Sequence, residues 1–226
     1  LMIAMITWAA GFPAADYLLH HGWGSLFIIN VRYILVVGVL LPLWIFVDGP
    51  RALLDADWIR GLWVGGISFG FGAYLLIVAQ YLTDPVLVAI IAAAMPIAGT
   101  IIEVFYKERV LEWRFFVGLV FTVCGGVIAA GQAQATSFGL GIALAVIATL
   151  LFAWGSHAAV HSFPKLTTLG RMTITFSGGF VAVVLAAIIS LILGHDFFPA
   201  RSITFYDLGM LSVYSILAIM ISQYFW

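Results

Sequence analysis

Two histidines in the second half of the sequence have the spacing of metal ligands. His157 and His161 are four residues apart, so on an α-helix both side chains lie on one face. No acidic residue that could supply a third ligand lies near them in the sequence. We therefore predict neither a metal site nor another cofactor, and we interpret His157 as part of a polar strip that faces a cavity or its mouth.

One cation, Arg32, lies well inside an apolar segment. It follows the start of that segment by about seven residues, roughly 10 Å of helix, and at this depth a charge costs about 2–3 kcal/mol unless it is paired or hydrated. Asp16, near the end of the preceding segment, is the expected partner if the two segments are antiparallel neighbours. Pairing and exposure to a cavity are compatible, and we place Arg32 among the candidate binding residues.

Pro96 and Glu103 interrupt the apolar run from Val86 to Tyr106. A proline inside a helix removes one backbone hydrogen bond and kinks the helix, which a bundle tolerates when neighbouring helices or water satisfy the freed carbonyl group. A packing kink without motion explains the sequence at Pro96. Glu103 precedes Lys107 by four residues, and we expect an ion pair between them.

The composition indicates a membrane protein. Hydrophobic residues make up 64% of the chain and charged residues only 8%, against about 25% charged residues in a soluble domain, and the mean hydropathy is +1.17. The predicted partner is the lipid bilayer, and no nucleic acid is expected. The composition leaves the oligomeric state open.

Eight apolar segments are long enough to be transmembrane spans, and spans of this kind must be helical because lipid offers the backbone no hydrogen-bond partners. They are approximately Leu1–Leu19, Ser25–Val47, Leu62–Leu82, Val86–Tyr106, Phe115–Gly131, Phe138–Val160, Met172–Leu193 and Leu208–Trp226. The predicted fold class is an all-α polytopic membrane protein with about eight helices.

Basic residues are concentrated in alternate loops, which predicts the orientation through the positive-inside rule. Seven lie in the loops assigned to the cytoplasmic side, namely Arg51, Arg60, Lys107, Arg109, Arg114, Lys165 and Arg171, whereas the opposite loops carry only Arg201. The chain is therefore expected to start on the cytoplasmic side.

The first and sixth segments share a short sequence pattern. Gly11, which follows Trp8, matches Gly155, which follows Trp154, at an offset of 144 residues. An offset of five spans turns the second copy upside down in the membrane, as in the inverted repeats of secondary transporters. We predict a first five-helix repeat over residues 1–131 and a second, incomplete repeat of three helices over residues 138–226.

The sequence resembles the EamA-type domain of the drug/metabolite transporter superfamily over essentially its whole length. The resemblance rests on Trp8-Ala-Ala-Gly-Phe, Asn30-Val-Arg32-Tyr33, the passage from Ala79 through Thr83-Asp-Pro to Met95-Pro96, the loop Lys107-Glu-Arg-Val-Leu-Glu-Trp-Arg114, Gly118, and Gly125-Gly126.

The resemblance implies two inverted five-helix repeats, ten helices in all, whereas this chain stops after the eighth; we interpret it as a piece that lacks the last two. It also implies a multi-pass transporter of metabolites in a bacterial inner (plasma) membrane, often an exporter, that works by alternating access. In this family the fourth helix lines the central cavity, so the resemblance makes Pro96 a candidate gating residue. The alternative is a polytopic membrane enzyme acting on lipid-soluble substrates. We predict no enzymatic activity, because the loops show no polar catalytic cluster.

The expected cavity is aromatic with a single positive charge. Its candidate substrate-binding residues are Trp8, Phe12, Arg32, Tyr74, Met95, Trp154, His157 and Tyr214. One buried cation without a basic cluster does not suit a phosphate or nucleotide sugar. A small zwitterionic or neutral solute fits better, such as an amino acid with its carboxylate near Arg32.

Five glycines on or just before the third segment predict close helix packing. They include two pairs with the small-xxx-small spacing, Gly61 with Gly65 and Gly66 with Gly70, which lets helix backbones approach each other. The small residues of the fourth segment, such as Ala89 and Ala92, are the expected partner face.

Overall fold

The computed structural model describes residues 2–130, 139–195, 197–199 and 202–225, and these residues form helices and short loops without any strand. The helices are α1 Met2–Ala9, α2 Gly11–His20, α3 Ser25–Asp48, α4 Pro50–Leu54, α5 Trp58–Gly65, α6 Gly72–Leu82, α7 Pro85–Ala93, α8 Met95–Phe105, α9 Trp113–Ala130, α10 Leu140–Ser162, α11 Thr168–Ile192, α12 Phe205–Ser212 and α13 Ser222–Phe225. Two π-helical segments complete the spans: Gly66–Phe71 joins α5 to α6, and Val213–Ile221 joins α12 to α13.

Within the described residues, six helical segments are long and apolar enough to cross a membrane. They are Ser25–Asp48, Trp58–Leu82, Pro85–Phe105, Leu140–Ser162, Thr168–Ile192 and Phe205–Tyr224. The other two predicted spans are helical as well, since α1 and α2 follow each other around a turn at Ala10 and α9 has 18 residues. The prediction of an all-α polytopic membrane protein is confirmed. Residues 131–138, where the fifth predicted span ends and the sixth begins, and Arg201 lie outside the described residues.

Side chains at the helix starts explain why the chain can turn so sharply between spans. The first backbone N–H groups of a helix have no partner within the helix, and Asp or Thr at the N-cap supplies one. Asp84 accepts a hydrogen bond from the backbone N–H of Val86 at 2.7 Å, directly before α7. Thr167 does the same for Gly170 at 3.1 Å before α11. The turns are thus encoded locally.

The three loops with the predicted cytoplasmic charges meet at one end of the bundle. The Thr167 hydroxyl, between α10 and α11, donates to the Asp48 carboxylate at the end of α3. Glu108, between α8 and α9, lies 3.3 Å from His161 at the end of α10. We refer to this end as the basic end.

The glycines of the third span pack closely, as predicted, but the predicted partner is wrong. A Cβ added at Gly65 would lie 2.7 Å from the carbonyl carbon of Thr175, and one added at Gly70 would lie 2.9 Å from the Cβ of Ala182. Both neighbours belong to α11, not to the fourth span. The reason is that α11 offers small residues at the matching heights, including Gly178, whose added Cβ would lie 2.9 Å from the Cα of Leu62.

The first and sixth spans make similar contacts with the two π-helical segments. Gly11 of α2 faces Ala218, where an added Cβ would lie 2.8 Å from the alanine Cβ. Gly155 of α10 faces the side chain of Ser68 with less room than a Cβ needs. Each glycine thus lets its helix approach the π-helical segment of another span. The two π-helical segments also start the same number of residues after the beginning of their spans, which are Trp58 and Phe205.

The fourth span is broken where the proline predicted a kink. Helix α7 ends at Ala93, Ala94 adopts φ −78° and ψ 4°, and α8 starts at Met95 with Pro96 in its first turn. The first turn of a helix tolerates proline, because its backbone N–H would lack a partner there anyway. Pro96 therefore starts a new helix and does not merely bend a continuous one.

Candidate functional site

The bundle encloses a small central pocket and a larger cavity that adjoins it. The central pocket has a volume of about 30 Å³, enough for about one water molecule, and contains Arg32. The larger cavity has a volume of about 690 Å³ and extends to Glu108 and Arg109 at the basic end. Phe69, Met95, Phe176 and Gln223 line both. The two cavities are therefore neighbours, one in the middle of the bundle and the other extending to the basic end.

Arg32 is held in the central pocket by aromatic side chains. Only 4% of its surface is exposed, and its Nη1 donates a hydrogen bond to the Tyr214 hydroxyl at 2.8 Å. The guanidinium carbon lies 5.0 Å from the ring centre of Tyr33 and 4.8 Å from that of Tyr214. Such contacts stabilise a cation by about 0.5–2 kcal/mol each. These rings hold the guanidinium group of Arg32 in place but do not neutralise its charge.

The expected partnership of Arg32 with Asp16 is wrong. The Asp16 carboxylate lies 3.1 Å from His20 Nδ1 on its own helix, and within the described residues no acidic side chain forms an ion pair with Arg32. An uncompensated charge away from water is costly. Arg32 is therefore a buried cation with donor groups to spare, because a guanidinium carries five N–H groups.

Tyr33 is positioned by backbone groups of two other spans. Its hydroxyl donates to the carbonyl oxygen of Phe69, in the first π-helical segment. Its ring lies against Gly179 of α11, where an added Cβ would be 2.9 Å from a ring carbon. Because the ring is fixed on both sides, it presents a rigid surface to the guanidinium of Arg32.

Aromatic rings form much of the pocket wall. Trp8 and Phe12 meet edge to face with ring centres 5.6 Å apart. Phe69 lies 5.8 Å from Phe152 and 5.3 Å from Phe176. Trp8 also packs against all three hydrophobic clusters of the core. These rings provide a large apolar contact area beside the single charge.

A neutral polar side chain also faces the central pocket. Gln80 of α6 is 4% exposed, and its Oε1 has no hydrogen-bond partner among the described residues. A buried amide without a partner costs about 1–3 kcal/mol. The pocket therefore contains two incompletely partnered polar groups: the guanidinium group of Arg32, which lacks an anion, and the Oε1 atom of Gln80, which lacks a hydrogen-bond donor.

Glu103 forms an ion pair, as expected, but its partner is Arg109 and not Lys107. Arg109 Nη1 lies 3.0 Å from Glu103 Oε2, because the chain leaves α8 through a left-handed residue, Lys107 at φ 60°, which turns the loop back over the helix. Glu103 remains an exposed ion-pair residue at the mouth of the larger cavity.

The structure brings most of the predicted site residues together. Trp8, Phe12, Arg32, Met95 and Tyr214 line the central pocket. Met95, Pro96 and His157 line the larger cavity.

Two predicted residues lie elsewhere. Tyr74 packs half-buried against the main core cluster, and Trp154 is half-buried, so neither lines either cavity. Their roles in binding stay predictions, as do those of the lining residues.

Several lining residues were missed by sequence reasoning, namely Phe69, Gln80, Phe152, Phe176 and Gln223. The two glutamines carried a usable signal, because an uncharged polar side chain inside an apolar span calls for a partner, as Arg32 does. The phenylalanines carried none, since aromatic residues also face lipid.

Comparison with known proteins agrees with this architecture. A solved structure described only as "Crystal structure of protein" superposes with a TM-score of 0.66 at 16% sequence identity, over 98% of this chain and 76% of that chain. At this identity the similarity concerns the fold. No curated relative matches the chain. The sequence profile of the EamA-like transporter family matches residues 1–130. Because that match covers more than half of the chain, the protein belongs to the EamA-like transporter family.

Proposed function

We propose that this membrane transporter carries a small solute with one carboxylate and an apolar or aromatic body, such as an amino acid. The observation that carries the proposal is the buried Arg32, which has aromatic partners but no acidic one within the described residues. A carboxylate would accept two parallel hydrogen bonds from the guanidinium and neutralise its charge. The amide of Gln80 would serve a second polar group of the solute.

The charge of the site favours a singly charged group over a phosphate. Among the described residues that line the central pocket, Arg32 is the only Lys or Arg, whereas phosphate sites usually combine several cationic or backbone N–H donors. The rings of Trp8, Phe12 and Phe152 suit an apolar body. The larger cavity, at about 690 Å³, lies within the range of about 300–1,000 Å³ for small-molecule sites. The central pocket, at about 30 Å³, would have to widen for the solute to pass from that cavity to Arg32.

Alternating access is the proposed mechanism. The larger cavity reaches the basic end, which the positive-inside rule assigns to the cytoplasm, so this conformation would receive solute from inside a bacterial inner membrane, as an exporter does. The similar contacts of Gly11 and Gly155 with the two π-helical segments support the predicted inverted repeat. The helix break before Pro96 lines the cavity and is the proposed gate.

The orientation is tested by single cysteines in a Cys124→Ser background. Gly24 and Lys165 are exposed, lie at opposite ends, and an added side chain at Gly24 meets nothing within 4 Å. In intact cells, an impermeant maleimide is expected to label Gly24→Cys but not Lys165→Cys until the membrane is permeabilised. The opposite pattern would reverse the proposed orientation.

The cargo is tested by flux into proteoliposomes made with the full-length protein. Counterflow of labelled amino acids with apolar or aromatic side chains is expected to exceed the rate in protein-free vesicles by about tenfold or more. The matched control is the amide of the same amino acid, which keeps the body and amino group but lacks the negative charge, and which should not exchange. Equal flux of acid and amide would refute the role of the carboxylate, and flux of neither would refute an amino-acid cargo.

A further inference from the structure

Three potential metal ligands meet at the mouth of the larger cavity. His157 Nε2 lies 2.9 Å from Glu108 Oε2, and His161 Nε2 lies 3.3 Å from Glu108 Oε1. The three ligand atoms all lie within 4.8 Å of one another. Glu108 comes from the turn after α8, 49 residues before His157 in the sequence. Glu108, in the turn after the fourth span, is therefore the acidic ligand that the local sequence around the two histidines did not reveal.

The hydrogen bond on the far side of His161 shows which of its nitrogens faces the cluster. His161 Nδ1 lies 2.9 Å from the backbone carbonyl oxygen of His157, and a carbonyl can only accept, so Nδ1 carries the proton. A neutral His161 then points the lone pair of Nε2 at a carboxylate oxygen. Two lone pairs at 3.3 Å repel each other unless a metal ion or a second ring proton lies between them.

This hydrogen bond to the carbonyl group four residues earlier, which His20 and His21 also make, is compatible with metal binding but does not by itself indicate it. A ligand histidine usually donates its second ring N–H to a carbonyl or carboxylate group, which fixes the ring and raises the basicity of the ligand nitrogen. Here the rings are also fixed by stacking, with His157 4.1 Å from His161 and 4.7 Å from Tyr106 between ring centres. The ligand set is thus oriented before any ion arrives.

Neighbouring charges leave the Glu108 carboxylate free for a cation. Arg109, the next residue, is bound to Glu103 at 3.0 Å. Within the described residues, the ion pairs of Glu108 are with the two histidines alone. The carboxylate is therefore not neutralised by a Lys or Arg side chain.

We propose that Glu108, His157 and His161 bind a divalent transition-metal ion of the zinc type at the basic end. Imidazole and carboxylate ligands suit such ions, and ligands about 2.0–2.2 Å from a tetrahedral zinc ion lie roughly 3.3 Å apart. That separation falls within the spread of the three ligand atoms. All three residues line the larger cavity, so a water molecule or another ligand from this cavity would complete the coordination. The ion would link the turn after α8 to α10.

The test is Zn²⁺ binding to the purified protein without a histidine tag, measured by competition with a chromophoric chelator. One ion per chain is expected, and Glu108→Gln or His157→Gln should weaken its affinity by about tenfold or more, since loss of even an outer-shell partner costs 10–100-fold. The control is His20→Gln with His21→Gln, which removes two imidazoles beside Asp16 at the opposite end. It should bind Zn²⁺ as the parent does.

X-ray absorption at the zinc edge gives a second readout that does not depend on affinity. Nitrogen and oxygen ligands at about 2.0–2.1 Å are expected, without the sulfur at about 2.3 Å that Cys124 would give. The proposal fails if the Glu108→Gln protein, shown to be monodisperse, binds Zn²⁺ as tightly as the parent, because the cluster would then be only a carboxylate bridging protonated histidines. It fails equally if binding is lost in the His20 and His21 control.

Discussion

Transport of the carboxylate-bearing solute is expected to fall at least about 100-fold when Arg32 is replaced by alanine. Two hydrogen bonds to a charged group, each contributing about 1.5–3 kcal/mol, would be lost from the bound state. The protein should still insert, because removing this cation from inside the span lowers the insertion cost by about 2–3 kcal/mol. Counterflow and substrate binding on the same purified protein are the measurements.

Two further variants separate the charge of Arg32 from its orientation. Arg32→Lys keeps the charge but cannot form the bidentate pair or stack on Tyr33, so we expect a large loss of affinity. Tyr214→Phe removes only the hydroxyl that accepts the 2.8 Å hydrogen bond from Arg32, and the loss should be smaller. A stable Arg32→Ala protein that transports at the parent rate would contradict the proposed site.

The largest expected effect on stability comes from adding one methyl group at Gly65. Alanine there would place a Cβ 2.7 Å from the carbonyl carbon and 2.9 Å from the Cα of Thr175, and neither backbone can yield as a flexible side chain would. Overpacking typically costs about 1–3 kcal/mol and occasionally more. We expect the upper end, about 3 kcal/mol, which lowers the melting temperature by roughly 6–12 °C for a chain of this size.

The control for this variant is Gly38→Ala in α3, where an added Cβ meets nothing within 4 Å. Alanine is the better helix former by up to about 1 kcal/mol, so the melting temperature of this protein should be unchanged or higher. Thermal unfolding in detergent, followed by size-exclusion chromatography of the soluble fraction, compares the two. Equal stability of both variants would mean that α5 and α11 do not pack as closely as described.

Local sequence features predicted the helices well, because a span needs only an apolar run of sufficient length and its ends are marked by residues such as Asp84 and Gly49. The break at Pro96 was equally local, since it follows from a missing N–H group. Local sequence also identified Arg32, because a charge inside an apolar run is costly and therefore marks a residue with a partner or a functional role.

The partners of these residues could not be predicted, because they depend on which spans become neighbours. Tyr214, which binds Arg32, is 182 residues away, and α11, which packs on Gly65, is not adjacent to it in the sequence. In a membrane protein every face of a span is apolar, so the hydrophobic pattern does not indicate which face meets which helix. Even the predicted short-range partner of Glu103 was wrong, because the left-handed turn at Lys107 places Arg109 over Glu103.

The π-helical segment Gly66–Phe71 gives the third span a way to change the pocket wall without bending. A π turn contains about one residue more than an α turn. If this segment closed to an α-helix while α5 stayed packed on α11, everything beyond it would shift by one residue, a rotation of about 100° and a translation of about 1.5 Å. Gln80 would then yield its place at the pocket to a sequence neighbour, Ala79 or Tyr81. A shift by one residue in the third span would thus replace the amide of Gln80 beside Arg32 with the methyl group of Ala79 or the phenol ring of Tyr81.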